Sequence, residues 1–262
     1  MLSDIWQPLT IFVAALVAGM INSVAGGGTL VTFPTLVWIG RDPIIANVTS
    51  TVALWPGSLG GMLGFRRELG NSRRWMLLLA GPSICGGLLG AMLLLRTPSQ
   101  HFAAIVPYLI LFATTLFAVQ EPLMRRLQRH GGPLPPLSSA PLRTAWWSGA
   151  AMFQFLVALY GGYFGAGIGI LMLAALGVLG FTDIHQMNGL KNFFAVCINL
   201  VAAAYFVVCG AVNWEDAIVM AAGAVAGGYG GAGLARRLGR PFVRRAVIAI
   251  GLAMAVSLLR RG

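Results

Sequence analysis

Asn22-Ser23-Val24-Ala25-Gly26-Gly27-Gly28-Thr29 closes one apolar run, at about 9 to 25, and opens a second, at about 28 to 40, that is only a dozen or so residues long. Crossing the hydrocarbon of a bilayer takes ~20 residues of helix, so the second piece is too short to span comfortably. A glycine run ahead of such a piece is the pattern of a chain that breaks inside a membrane and restarts as a half-helix or re-entrant segment. Gly161-Gly162-Tyr163-Phe164-Gly165-Ala166-Gly167-Ile168-Gly169 does the same ahead of the short piece at about 169 to 180. Glycine tolerates φ above zero and close backbone approach. The helix restarting beyond it offers free N–H groups and a positive dipole end to an anion. Close helix packing competes as an explanation for any one glycine in lipid, but recurrence before two undersized segments favours a functional break. No β-strand precedes either motif, so neither is a dinucleotide fingerprint.

Around the breaks lie eight longer apolar runs, at roughly 9 to 25, 44 to 65, 75 to 95, 102 to 120, 145 to 164, 184 to 209, 214 to 235 and 242 to 259. With 58% hydrophobic residues, 10% charged and a mean hydropathy of +0.81, the 262-residue chain has too little polar surface for a water-soluble domain. It reads as an all-α polytopic protein of the lipid bilayer. The first run has Asp4 and no basic residue ahead of it and leads into more membrane sequence, as a retained start-transfer helix does. Cys85, Cys197 and Cys209 lie in or at the ends of apolar runs without metal-ligand spacing and are expected to be buried, inert thiols. No cofactor is expected.

The two halves resemble each other. A shift of 141 residues carries Ala25-Gly26 onto Ala166-Gly167, Gly28 onto Gly169, Asp42 onto Asp183, Asn47 onto Asn188, Gly86-Gly87 onto Gly227-Gly228 and Arg96 onto Arg237. A duplicated unit follows: a first transmembrane repeat over 1–120, a basic, proline-rich linker over 121–144 and a second repeat over 145–262. Merging each short piece with its predecessor gives four crossings per half, parallel copies and loop basic residues split ten against seven. Counting them separately gives five and inverted copies. Thirteen arginines then face one side, and only Arg41, Arg96, Arg260 and Arg261 face the other. That asymmetry is what the positive-inside rule predicts, so inverted repeats are expected, each with about four spanning helices plus the short broken one. The linker is then cytoplasmic and both termini lie outside. The net charge of +11 belongs to this loop pattern and not to a nucleic-acid-binding domain.

Lys191 is the only lysine in the chain, and it sits inside the apolar run from 184 to 209. A charge there costs several kcal/mol unless it is bound or reached by water. Snorkelling to the interface competes as an explanation, but does not account for Asn188, Asn192 and Asn199, which share a helical face beside it. In the first half Asn47, Ser50 and Thr51 stand at the positions of Asn188, Lys191 and Asn192. If the repeats face each other, both clusters meet at one cavity, where an ammonium and amide or hydroxyl donors suit a small oxyanion. Asn22 and the glycines Gly26, Gly27, Gly28, Gly165, Gly167 and Gly169 complete the candidate substrate site. His185 and Asp183 could carry a coupling proton, although an N-cap role is the commoner one for Asp183. The chain offers no metal-spaced group and no buried nucleophile-base set, which argues against an intramembrane enzyme.

These residues resemble the TauE/SafE sulfite exporter family, also called the toluene sulfonate uptake permease family. The likeness is carried by Asn22 to Leu30 with Pro34, by Asn47-Val48-Thr49-Ser50 and by Pro56-Gly57-Ser58-Leu59-Gly60. In the second half it is carried by Gly165 to Gly169, Met187 to Asn192, Asn199, Trp214 and Gly227 to Ala232. The resemblance implies a bacterial inner-membrane secondary transporter for a small sulfur-containing or organic anion such as sulfite, sulfoacetate or another sulfonate, with export the expected direction. A homodimer is left open. An anion channel or a non-transporting membrane scaffold is the alternative, and there Lys191 would be dispensable.

Overall fold

The computed structural model describes residues 2–24, 27–64, 69–130, 144–181, 183–238 and 240–259. The described residues form helices and short connections, with no strand. The first half runs α1 (Leu2–Val24), α2 (Thr29–Trp38), α3 (Pro43–Gly64), α4 (Arg73–Arg96) and α5 (Ser99–His130). The second runs α6 (Thr144–Tyr163), α7 (Ile168–Val178), α8 (Ile184–Val208), α9 (Trp214–Leu238) and α10 (Arg240–Leu259). The apolar runs and short pieces read from the sequence are thus all helices. Helix α5 continues through Glu121 to His130, into the stretch read as linker; residues 131–143 lie outside the described part.

Among the described residues, α4, the Ser99–Val119 part of α5, and α8 are long and apolar enough to cross a bilayer, while α2, α7, Trp6–Asn22 and Arg245–Leu259 are apolar but shorter. In α3, Asn47, Thr49, Ser50 and Thr51 dilute the apolar run. Many large hydrophobic side chains point outward, among them Leu77, Tyr108, Leu156, Val178, Val208 and Ile218. In water they would form a large sticky patch, whereas in lipid they are the expected outer surface. The cysteines follow the same inversion. Cys85 and Cys209 are exposed and Cys197 is half-buried, so the expected burial inside the protein does not hold, because an apolar residue in a bilayer needs no protein core to leave water.

Local chemistry sets the helix ends. The Asp42 carboxylate accepts from the N–H groups of Ile44 (2.8 Å) and Ile45 (3.2 Å), and that of Asp183 from His185 N–H (2.8 Å). Both are N-caps, the first of α3 and the second of α8. Helices α2 and α7 both end on a left-handed glycine, Gly40 (φ 94°) and Gly180 (φ 92°), whose next residue donates back to Leu36 O or Leu176 O at 3.0 Å. This is the glycine cap that satisfies the last carbonyls of a helix.

The starts of α3 and α8, of α4 and α9, and of α5 and α10 are each separated by 141 residues. At the breaks the register differs. The N-caps of α2 and α7 are Gly28 and Gly167, two residues short of that spacing. Helix α7 is one residue longer than α2, and the connection after it is longer by one as well. Gly28 therefore corresponds to Gly167 by position in the fold and not to Gly169, to which the ungapped shift assigned it.

The halves interlock. Helix α1 packs along α9 and α6 along α4, so the first helix of each half lies on the fourth of the other. Glycines make these contacts. A Cβ on Gly90 would run into the Leu159 carbonyl of α6, and one on Gly227 into the Leu16 carbonyl of α1. A buried hydrogen bond from Gln154 Nε2 to Ser83 Oγ (2.9 Å) ties α6 to α4. Helices α3 and α8 pack against each other, as do α5 and α10.

Candidate functional site

The first break is closed by its own residues. Asn22, half-buried near the end of α1, accepts the Gly28 N–H on its Oδ1 at 2.8 Å and so caps the restart of the chain. Gly27 is left-handed (φ 105°), and a side chain there would meet the Phe117 ring of α5. Beyond it Thr32 of α2 and Ser50 of α3, both buried, share a short hydrogen bond. Thr51 Oγ donates to Asn47 O at 2.9 Å. Gly26 lies outside the described residues.

At the second break the chain turns on two left-handed glycines, Gly165 (φ 79°) and Gly167 (φ 78°), before α7 starts. The Tyr160 hydroxyl fixes the turn by donating to Ala166 O at 2.7 Å. Half-buried Lys191 lies beside the first turn of α7. A Cβ added to Gly169 would come 3.3 Å from Lys191 Cδ, so the alkyl stem runs along that glycine. Ser50 and Lys191 thus stand in the same relation to the short helix of their own half, Ser50 by a hydroxyl bond and Lys191 by a packed stem. Asn192 and Asn199 are half-buried on the same helix, and Asn188 Nδ2 donates to Ile184 O at 2.8 Å. Asp183 and His185 are exposed at the start of α8.

A side-chain hydrogen bond joins the halves at the second break. Asn47 of α3, 1% exposed, donates from Nδ2 to the carbonyl of Tyr163, the last residue of α6, at 2.9 Å. The first half's asparagine therefore reaches the second half's break, while its counterpart Asn188 stays within its own helix. An open groove between α4 and α8, lined by Leu88, Leu200, Val201, Ala204, Tyr205 and Val208, is apolar and faces outward, unsuited to an anion.

The model of the family described as "Sulfite exporter TauE/SafE" matches residues 11–258. The chain belongs to the TauE/SafE family. It is 28% identical over 255 residues to a "Probable membrane transporter protein" of Haemophilus influenzae, covering 95% of this chain and 93% of that one. It is 27% identical over 249 residues to "Probable membrane transporter protein ORF9" of a Sinorhizobium species, covering 95% and 91%. "Probable membrane transporter protein YfcA" of Escherichia coli K12 is 24% identical over 252 residues, with 95% and 88% covered. No solved structure matches. Family and relatives identify a membrane transporter rather than an enzyme.

Several contacts of this TauE/SafE chain were not legible as pairs. Arg41, after α2, binds Asp216 in the first turn of α9 through Nε (2.7 Å) and Nη2 (3.1 Å). Thr49 accepts Asn213 N–H at 3.2 Å, and Gln186 Nε2 reaches Ser72 Oγ at 2.9 Å. Only the isolated Arg41 in an otherwise arginine-poor set of loops gave a hint, and its partner lies 175 residues away.

Proposed function

We propose that this TauE/SafE chain is a secondary transporter that exports a small sulfur-containing or organic anion, such as sulfite, sulfoacetate or another sulfonate, by alternating access of two inverted repeats. The observation that carries the reading is the Lys191 stem against Gly169 at the first turn of α7. There an ammonium-bearing side chain and the positive end of a helix about 16 Å long come together. A unit charge about 4 Å from an anion is worth about 4 kcal/mol at an effective dielectric of 20, and a helix end adds up to about 1 kcal/mol. Both effects favour an anion at that point, and the cost of its desolvation keeps the binding reversible. Asn192, Asn199 and Asn188 on α8, and Ser50, Thr51 and Asn22 of the first half, are the residues we assign to shaping the path. His185 and Asp183 lie at its mouth.

The inverted arrangement is supported by two contacts. If each short helix merged with its predecessor into one crossing, Arg41 and Asp216 would be on opposite membrane faces, and so would Ser72 and Gln186. Both pairs touch. The inner membrane, a cytoplasmic 131–143 segment and outside termini then follow from the arginine distribution.

The test is flux. The protein is reconstituted in liposomes and transport of sulfite, sulfate and a short sulfonate is measured for wild type and Lys191→Ala. Loss of flux in a folded variant supports the reading, and unchanged flux removes Lys191 as a ligand.

A further inference from the structure

Asn47 carries an atom that an anion cannot use. Its Nδ2 donates to Tyr163 O, and because that partner can only accept, the amide orientation is fixed. The other end, Oδ1, is an acceptor with no hydrogen-bond partner in a side chain that is 1% exposed. A buried acceptor left unmet costs about 1–3 kcal/mol. Its neighbour is the C-terminal end of α6, where helix carbonyls run out of intrahelical donors and the dipole is negative. The positive start of α3 is close too, but Asp42 caps it with a carboxylate. Beyond Tyr163 the left-handed Gly165 and Gly167 turn the chain out of helical geometry.

We infer that Asn47 Oδ1 and the carbonyls at the end of α6 form a site for a monovalent alkali cation. Neutral oxygens at a negative helix end suit a single positive charge. Among the described residues no group of histidine, cysteine, aspartate or glutamate gathers that could hold a divalent ion. One glycine break then faces a cation with the end of α6 and an anion with the start of α7. The inference rests on the transporter reading in naming the coupled ion, and its test is binding, so the two can fail separately.

Purified protein in nanodiscs is unfolded thermally in NaCl, KCl and choline chloride at equal concentration. The expected result is a midpoint higher by a few degrees in NaCl or KCl than in choline chloride. The shift disappears in Asn47→Ala, is retained or enlarged in Asn47→Asp, and is unchanged in Lys191→Ala. Equal midpoints in all three salts overturn the site, as does an alkali-dependent shift that survives Asn47→Ala. If Asn47→Ala does not fold, the wild-type salt series and Asn47→Asp decide. An alkali-dependent shift together with absent sulfite flux supports the cation site while removing the anion reading.

Discussion

Arg41 grips Asp216 with two hydrogen bonds, and the position-matched residues Phe181 and Trp75 make instead an edge-to-face ring contact at 5.0 Å. The ion pair is at the start of α3 and α9, the ring pair at the start of α4 and α8. Helix α4, about 36 Å long, carries Trp75 near its start and is followed by Thr97. There the Thr97 hydroxyl meets Tyr163 (3.4 Å), whose carbonyl takes Asn47. The two pairs therefore close opposite ends of the bundle, one by charge and one by apolar contact.

Removing either partner of the ion pair has unequal consequences. Asp216 is 5% exposed and Arg41 32%, so Arg41→Ala strands a buried carboxylate while Asp216→Ala leaves an arginine that can reach water. Arg41→Ala is expected to cost about 1–3 kcal/mol and Asp216→Ala less, read as thermal midpoints in detergent. The hydrogen bond to Asp216 raises the Arg41 pKa above its usual value. A raised pKa stabilises below the unfolded value and loses effect only above the folded one, so the Arg41 contribution should be flat from pH 6 to 9.

The glycine seams should be intolerant and the open glycines tolerant. Gly90→Ala and Gly227→Ala push a methyl group into a backbone carbonyl, whereas Gly57 and Gly81 have open space where a Cβ would go. The seam variants are expected to lose 1–3 kcal/mol or about that, and Gly57→Ala and Gly81→Ala to match wild type. Equal losses in both groups would argue against the close α1–α9 and α4–α6 packing.

Gly169 offers a way to disturb Lys191 without touching its charge. A methyl group at 3.3 Å from the stem is tight but meets a flexible chain. Gly169→Ala should therefore fold and show a changed apparent affinity for sulfite, and Gly169→Val should lose flux. Wild-type transport kinetics in Gly169→Val would sink the proposed position of the ammonium.

Membrane sidedness can be read with single cysteines in a background lacking Cys85, Cys197 and Cys209. Ser99→Cys and Glu215→Cys, both at exposed positions, should react with an impermeant maleimide from the same side. Arg73→Cys, also exposed, should react from the other. Labelling of all three from one side would rule out inverted repeats.

Much of the fold could be read because membrane helices announce themselves locally. Apolar run length gave the helices, and Asp183 ahead of a helical run gave a cap that the structure shows, repeated at the matched Asp42. The slip at the breaks was hidden because glycines are plentiful there, and an ungapped shift finds a glycine partner either way. Gly26, one of the break glycines, falls outside the described residues. The cysteines misled because burial from water and burial in protein are the same thing only in a soluble fold. At the candidate site, hydrogen-bond partners were not legible. Nothing local indicates that Asn47 reaches Tyr163 while Asn188 bonds its own helix, since that choice is made by a helix more than a hundred residues away.

The pairing of α1 with α9 also bears on how the chain is made. The residue that opens α9 is synthesised about 190 residues after α1 ends, which at 5–20 residues per second is about 10–40 s of translation. Through that interval the face of α1 shaped to receive Gly223 and Gly227 has only lipid, or a helper in the insertion machinery, to rest on. Helix α1 thus meets α2 and α3 early but α9 only late, and a ribosome stalled before Trp214 would leave a partly inserted chain with that face of α1 still uncovered.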